Sequence, residues 1–309
     1  FDGIVAGCPV ASKTGIYAAF INYMQIFFPT PARAGGPLFS KEQLKDFHQQ
    51  VLEQCDDKDG LEDDIINNPL ACQLDWGQIV GLTAEQVRAL KSAYEGPKVN
   101  NRSLYPGLPL GSELQWYRWF IGPDLNGTGT QSALGLACSQ FCRYLVFDDP
   151  KWTPTGYSLA NWREDSRRAS SILDCDNANL QPFHDSGGKL IIWHSWADGA
   201  LTAKASIEYF EGIDIAAKNE FIRLYLLPGV YHCGAGPGPS RIDWLDVISD
   251  WAERGNAPHR LVAEKRDNEG RVVMTRPVYP YPVTVKYSGV GDSQDAGSFE
   301  PIETRSQPR

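Results

Sequence analysis

The fold of this chain is constrained most by two apolar runs of strand length. Each run is followed by a loop with an ionisable side chain. The first run, Gly-Gly-Lys-Leu-Ile-Ile-Trp-His at 187–194, leads into Asp198 and Gly199. The second, Phe-Ile-Arg-Leu-Tyr-Leu-Leu at 221–227, is ended by Pro-Gly and followed by His232. Their length and their bounding turn residues predict two buried β-strands. Asp198 and His232 are therefore expected just beyond the carboxyl ends of two strands.

The order of these two residues suggests hydrolytic chemistry. In open α/β sheets the loops at the carboxyl ends of the strands form the reactive site, because the sheet holds them rigidly. An aspartate followed by a histidine on such loops supplies two members of a triad in the order Ser, Asp, His. We therefore predict an α/β fold in which Asp198 orients His232 and His232 acts as the general base.

The nucleophile of such a triad is not evident in the sequence. No Gly-x-Ser-x-Gly motif occurs in the 309 residues, although a nucleophile elbow requires it. Ser195 lacks the flanking glycines of an elbow, so we do not expect it to be the nucleophile. Either the serine lies on another segment or the chain is not a hydrolase.

Charge and hydropathy limit the class of partner. The formal net charge is −9 with no basic cluster, which argues against a nucleic acid or an anionic membrane surface. No apolar run approaches the roughly 18 residues of a membrane span, so no membrane segment is predicted. A small uncharged or weakly anionic substrate fits this composition better.

An acidic loop follows Cys55. Six of the nine residues at 56–64 are Asp or Glu, and repulsion on that scale requires either a bound cation or full solvation. The loop does not fit an EF-hand, because Leu61 occupies a position that requires an oxygen ligand. The residues alone leave a cation site and a solvated acidic turn open.

Four stretches, at 1–7, 55–65, 187–198 and 229–234, together resemble the tannase and feruloyl esterase family. The resemblance extends over nearly the whole chain and implies an α/β-hydrolase core with a large inserted lid. It also implies a carboxylic ester hydrolase that acts on esters of phenolic or aromatic acids. In that family a Gly-Cys-Ser-x-Gly-Gly elbow and one helix precede the segment that begins here at Phe1. The expectation is a carboxyl-terminal portion whose nucleophile serine lies on an upstream segment or companion chain.

The resemblance also assigns roles in the acidic loop. It implies a structural calcium ion held by carboxylates and two backbone carbonyls. These ligands would be Asp56, Asp59 and Asp63 through their side chains and Leu61 and Ile65 through their carbonyls.

Seven cysteines are present, and an odd count leaves at least one without a partner in the chain. The resemblance pairs Cys55 with Cys72 and implies that Cys233 bonds the cysteine that precedes the nucleophile serine. Three pairings remain open for Cys8, Cys138, Cys142 and Cys175. The chain departs from the family at Ser195, where glycine is usual, and at Tyr279 and Pro301, where a cysteine pair is often found.

Changes in composition and in the density of turn residues predict three segments. Residues 1–27 and 173–309 would form the hydrolase core, and 28–172 the lid with the calcium loop and a group of aromatic residues. Within the lid, Ser40 with Gln43 and Thr83 with Gln86 form capping boxes that predict two helices. A β-hairpin about 268–270 is expected near the end of the chain.

The sequence also leaves a second, non-catalytic class of function open. A non-catalytic, calcium-stabilised partner subunit or aromatic-binding module would have the same fold without the nucleophile elbow. Finding a companion segment with the serine elbow distinguishes the two. The cysteines and the resemblance imply a secreted or periplasmic protein.

Overall fold

A computed structural model of the chain describes residues 1–29, 36–122 and 132–303. The described strands are β1 (Gly3–Gly7), β2 (Lys98–Val99), β3 (Arg102–Ser103), β4 (Lys189–Ser195), β5 (Ile222–Leu227), β6 (Leu261–Arg266), β7 (Val272–Val278), β8 (Val283–Tyr287) and β9 (Phe299–Glu303). The described α-helices are α1 (Lys13–Phe27), α2 (Lys41–Cys55), α3 (Ala84–Glu95), α4 (Glu113–Trp116), α5 (Ala133–Phe141), α6 (Trp162–Asp165), α7 (Arg167–Leu173), α8 (Gln181–Asp185), α9 (Ala203–Gly212), α10 (Lys218–Phe221) and α11 (Trp244–Arg254). Wide π-helical turns at Tyr117–Ile121 and Cys142–Val146 continue α4 and α5.

The centre of the fold is a parallel three-stranded sheet in the order β1-β4-β5. Val5 pairs with Ile191 and Ile192 pairs with Leu224, so the apolar residues of the three strands lie side by side. β4 and β5 correspond to the two apolar runs in the sequence. Because all three strands run parallel, their carboxyl ends meet at one edge. The predicted α/β core and its two strands are confirmed.

Helices cover both faces of this sheet, as parallel sheets require. On one face, Phe210 of α9 packs with Ile192 and Leu224. On the other, Trp251 of α11 packs with Ile191 and Tyr225. The sheet therefore lies between two apolar layers, and its strand ends are held firmly in place.

The segment between β1 and β4 forms a helical region. Both capping boxes are present, with Ser40 and Thr83 accepting hydrogen bonds from the backbone N–H groups of Gln43 and Gln86. Helix α1 packs into the same hydrophobic core as this region, against residues such as Phe120. Two stretches of the predicted lid, 30–35 and 123–131, lie outside the described residues.

Much of the predicted aromatic group lies in this core. Trp116, Phe120 and Trp162 are buried. Tyr144 is exposed, and Trp119 is only partly buried. Most of the group therefore stabilises the helical region, and Trp119 differs because it faces the end of the sheet.

The carboxyl-terminal region adds two antiparallel hairpins. The predicted hairpin is confirmed as β6 and β7, and β8 pairs with β9. The segment before β8 lies along the outer edge of β5, where the Tyr281 N–H donates to the Leu224 carbonyl at 2.8 Å. In the described part of the chain, no helix has the length and apolar character to span a membrane.

Candidate active site

Asp198 and His232 lie together at the carboxyl ends of β4 and β5. Their loops are joined by backbone hydrogen bonds, from Trp196 N–H to the Leu227 carbonyl at 2.9 Å and from Ala197 N–H to the Val230 carbonyl at 3.1 Å. The His232 loop also closes on itself, since Gly238 N–H donates to the Gly229 carbonyl at 3.0 Å. The sheet thus brings together the two residues that the sequence predicted as an acid and base pair.

Asp198 is fully buried, and both of its carboxylate oxygens accept hydrogen bonds. Oδ1 accepts from the backbone N–H groups of Ala200 and Leu201, each at 2.8 Å. Oδ2 lies 2.9 Å from Nδ1 of His232 and 3.7 Å from Nε2 of His194. Burial alone raises the pKa of the Asp198 carboxyl, but its contacts with the two imidazoles bring that pKa below its ordinary value. Asp198 is therefore ionised and held in one orientation.

His232 is partly buried, and 28% of its side chain is exposed to solvent. The hydrogen bond to Asp198 raises the pKa of His232 above its ordinary value, although burial and the charge of Arg118 lower it. With Nδ1 engaged by Asp198, Nε2 is the ring nitrogen available to a reacting group. This is the arrangement that a general base requires.

Ser195 lies in a different environment. Its side chain is fully buried at the end of β4, with Oγ 3.7 Å from Sγ of Cys8. Burial raises the pKa of the Cys8 thiol to about 12, so the thiol is protonated at neutral pH. Neither side chain has the exposure of a nucleophile, in agreement with the sequence argument about Ser195.

Two residues of the helical region contact His232, and the sequence analysis did not identify either. Gln115 Oε1 accepts from the His232 backbone N–H at 3.2 Å, and its Nε2 donates to the Ala197 carbonyl. The Trp119 ring meets the His232 imidazole edge to face, with centroids 5.2 Å apart. The aromatic-rich sequence around Gln115 and Trp119 was the only local signal. The hydrogen bond itself joins Gln115 to Ala197, 82 positions away, and no local pattern specifies such a contact.

The acidic loop contains buried carboxylate atoms without partners. Asp56 Oδ1 and Asp63 Oδ1 are buried, and neither has a hydrogen-bond partner among the described residues. Asp59 is partly buried, and this burial together with the nearby charge of Asp63 raises the pKa of Asp59 to about 7. Burial also raises the pKa of Asp56 and of Asp63, the latter despite its ion pair with Arg276. Unpartnered, crowded carboxylates fit a hard cation such as Ca²⁺.

The two apolar positions of this loop differ in burial. Ile65 is buried, whereas Leu61 is only partly covered. A Cβ placed on Gly229 would lie 3.0 Å from Ile65 Cγ1, so the acidic loop packs against the base of the His232 loop. The predicted calcium loop is therefore a direct neighbour of the candidate site.

A second cluster has donor atoms of the types that bind transition metals. Ligand atoms of Cys8, His194 and Asp198 lie within 4.8 Å of one another. However, the Asp198 oxygens already accept from Ala200, Leu201 and His232. His194 Nε2 likewise lies 3.0 Å from the Leu201 carbonyl. Because these groups are engaged, we assign no metal to this cluster.

The predicted Cys55–Cys72 disulfide is confirmed, with the two Cα atoms 5.5 Å apart. Cys233 is exposed, and its Sγ lies 4.0 Å from both ring nitrogens of His232. None of the three pairings that remained open is present in the described part of the chain. The four cysteines concerned are Cys8, Cys138, Cys142 and Cys175.

Comparison with known proteins places these features in one family. The family model for tannase and feruloyl esterase matches residues 1–302. Mono(2-hydroxyethyl) terephthalate hydrolase of Piscinibacter sakaiensis is 30% identical, and the match covers 97% of this chain and 59% of that protein. The chain spans about 60% of the length of the curated relatives that it matches.

Solved structures agree in fold. Feruloyl esterase B from Aspergillus oryzae superposes with a TM-score of 0.83 at 23% identity, covering 98% of this chain and 64% of that one. Tannin acyl hydrolase from Aspergillus niger superposes with a TM-score of 0.73 at 20% identity, covering 98% and 60%. These neighbours share the α/β-hydrolase fold, which is the fold of this chain. With a family match that extends from the first strand to the last, the chain belongs to the tannase and feruloyl esterase family.

Proposed function

We propose that this chain supplies the aspartate and histidine of a Ser-His-Asp carboxylic ester hydrolase. The observation that carries the proposal is the 2.9 Å contact between His232 Nδ1 and Asp198 Oδ2 at the carboxyl ends of β4 and β5. The order of these strands and residues is that of an α/β hydrolase. His232 takes the proton of the serine as it attacks the ester and then gives a proton to the leaving alcohol.

The nucleophile serine, in this proposal, lies on a segment upstream of residue 1 or on a companion chain. β1 supports this placement, because among the described residues it pairs with β4 alone. In the described part of the chain its other edge is unpaired, and a further parallel strand there would end at the same edge of the sheet as the Asp198 and His232 loops. The oxyanion hole then comes mostly from backbone N–H groups of that same segment.

The proposed substrates are esters of phenolic or aromatic acids. Trp119 supports this class, since its partly exposed ring stands beside the His232 imidazole and offers a flat apolar wall to an aromatic acyl group. The names of the relatives, which include a terephthalate monoester hydrolase and a feruloyl esterase, agree with it. In this reading residues 28–172 are a lid over a core formed by 1–27 and 173–309.

Calcium is proposed as a structural ion of the acidic loop. Asp56, Asp59 and Asp63 would hold it through their carboxylates, and Leu61 and Ile65 through their carbonyls. When bound, the ion supplies charge neutralisation to the loop and no acyl chemistry. A disulfide within the chain favours an oxidising compartment, so we propose that the protein is secreted or periplasmic.

The experiment compares this chain alone with the protein that includes the upstream segment, using methyl ferulate and methyl gallate as substrates. The longer protein is expected to hydrolyse at least one ester, and the chain alone neither. His232→Ala is expected to lower kcat by about 10⁴-fold or more, since the members of a triad act as a unit. Asp198→Asn is expected to be comparably severe, because the wrong imidazole tautomer is then favoured.

Ser195→Gly is the control variant, and it is expected to retain most activity because the Ser195 side chain is buried against Cys8. Hydrolysis by the isolated chain, abolished by Ser195→Gly, would overturn the proposal that the serine lies upstream. A longer protein that binds aromatic esters without hydrolysing them would favour the non-catalytic alternative.

A further inference from the structure

The side chain of Gln115 lies between the two loops that carry Asp198 and His232. It is buried, and its amide contacts the backbone next to each of them. Nε2 donates to the carbonyl of Ala197, the residue before Asp198. Oε1 accepts from the backbone N–H of His232 at 3.2 Å. We call this pair of hydrogen bonds the Gln115 bridge.

The two backbone groups that the bridge joins determine which side chain at position 115 can hydrogen-bond to both. The Ala197 carbonyl can only accept a hydrogen bond, and the His232 N–H can only donate one. A neutral amide offers one group of each kind at the correct separation. A carboxylate of the same shape would place an oxygen against the Ala197 carbonyl, and an apolar chain would leave both backbone groups without a partner. Glutamine therefore satisfies both loops at once.

The helical segment that carries Gln115 is itself fixed by a buried carboxylate. Glu113 is fully buried, and it accepts from the Tyr94 hydroxyl at 2.6 Å and from the Gly111 N–H at 2.9 Å. Its second oxygen lies 2.6 Å from Nδ1 of His48. Helices α2 and α3 thus hold α4 in place, and α4 in turn presents Gln115 to the catalytic loops.

We propose that Gln115 is a positioning residue that sets the relative placement of Asp198 and His232, so that the helical region completes the site. The inference rests on the proposed function and adds a residue that acts on the reaction chiefly through the placement of His232 and Asp198. Its Oε1 also lies 3.4 Å from Nε1 of Trp119, a longer contact. Hydrolysis requires Nε2 of His232 within about 3 Å of the serine hydroxyl. A shift of about 1 Å in such a group can cost about 100-fold in rate. The loss of the bridge therefore affects the chemical step more than substrate binding.

A second consequence concerns the pH profile. The charged or titratable groups that face the His232 ring are Asp198, Arg118 and Cys233. The hydrogen bond that His232 donates to Asp198 is the main cause that raises the pKa of His232. When the bridge is lost and this contact loosens, the acid limb of the kcat profile moves to lower pH.

The test uses the protein with its upstream segment, methyl ferulate as substrate, and the variants Gln115→Met and Gln115→Glu. Gln115→Met is expected to lower kcat by about 10- to 100-fold with KM changed by less than about twofold. Gln115→Glu is expected to lower kcat by at least about tenfold, because its carboxylate faces the Ala197 carbonyl. In Gln115→Met the acid limb of the profile should move to lower pH. In Gln115→Glu the added carboxylate beside His232 opposes that shift, so the pH readout belongs to Gln115→Met.

Gln86 provides a matched control in the same helical region. Its buried amide donates to the Leu38 carbonyl at 2.8 Å and has no contact with either catalytic loop among the described residues. Gln86→Met is expected to lower the melting temperature about as much as Gln115→Met and to leave kcat and the pH profile unchanged.

Wild-type kcat in both Gln115 variants, with an unshifted pH profile in Gln115→Met, would overturn the inference while the proposed function stands. Failure of both variants to fold would overturn it too, since Gln115 would then be a structural residue. If wild-type protein and Gln86→Met hydrolyse no ester at all, the proposed function itself has failed.

Discussion

Two opposite charges affect the pKa of the His232 imidazole. The buried Asp198 carboxylate at 2.9 Å stabilises the protonated ring, and the exposed Arg118 guanidinium disfavours it. Arg118 is stacked 4.9 Å from the Trp119 ring, which itself meets the imidazole. The carboxylate is desolvated and accepts a hydrogen bond from the ring, so its effect is the larger one, and the pKa of His232 is raised.

The raised pKa of His232 gives a prediction for the rate. A general base must be neutral, so activity rises with pH as the imidazole loses its proton, and a raised pKa places this rise above the ordinary value of about 6.5. Arg118→Gln removes the charge that opposes protonation, so the acid limb of kcat/KM should move to still higher pH. Measurement of kcat/KM from pH 5 to 9 in the wild-type protein and in Arg118→Gln checks this shift. A limb that moves to lower pH in Arg118→Gln contradicts the account.

The sequence identified Asp198 and His232 because each follows a recognisable strand at a fixed distance along the chain. Gln115 could not be found in this way. Its hydrogen bonds to Ala197 and His232 span 82 and 117 positions of the chain, and neither an amide nor an aromatic-rich surrounding specifies such a contact. Buried Glu113 was missed for the same reason, since its partners Tyr94 and His48 lie on separate helices.

Among the elements, the acidic loop is the one whose stability is expected to respond most to the proposed calcium ion. The Cys55–Cys72 disulfide brackets it, and closing a loop of that length contributes about 3 kcal/mol. Arg276 neutralises part of the charge of Asp63, but Asp63 Oδ1 and Asp56 Oδ1 remain without partners among the described residues. Removal of a cation from this loop therefore leaves buried charge uncompensated.

Calcium is expected to raise the melting temperature of the protein, because an ion that binds only the folded loop stabilises it by mass action. At a concentration about 100 times Kd the stabilisation is about 2.7 kcal/mol, which corresponds to several degrees. Asp59→Ala should abolish this increment. Thermal unfolding with calcium and with a chelator measures both effects.

Asp57→Ala is the control for this experiment. Asp57 is exposed and its carboxylate lies 2.8 Å from the Lys58 ammonium, so its loss should leave most of the calcium effect. Melting curves of the wild-type protein that coincide with and without chelator would refute the calcium assignment.

Helices with capping boxes and strands with bounding turns were predicted well, because these signals are local. The hairpin of β6 and β7 was predicted from its turn for the same reason. The β8–β9 pair was not, since 11 residues, 288–298, separate its strands and no short turn marks the pairing. Local chemistry specifies an element, whereas packing between distant segments decides its neighbours.

At the scale of the whole molecule, the odd cysteine count gives a further prediction. Cys233 is exposed beside His232, and we expect it to bond the cysteine that precedes the nucleophile serine. Peptide mapping of the native protein without reduction should find a peptide with Cys233 joined to one with the serine elbow. Reduced protein, in which the two peptides separate, is the control.

A free Cys233 thiol in the native protein, or a bond from Cys233 to another cysteine of this chain, would refute this pairing. Cys8 is the most informative alternative partner, since it is buried near the same strand ends.

The Gln115 bridge also has a consequence for how the molecule reaches its active form. Contacts that join residues 82 and 117 positions apart require the closure of long loops, and such contacts form late because their entropic cost must be met first. The pairing of β1 with β4 closes a still longer loop, since Gly3 pairs with Lys189. The two catalytic loops reach their final spacing only when α4 has docked between them. In the proposed function, a complete site at the strand ends is thus acquired as one of the last steps of folding, after the local helices have formed.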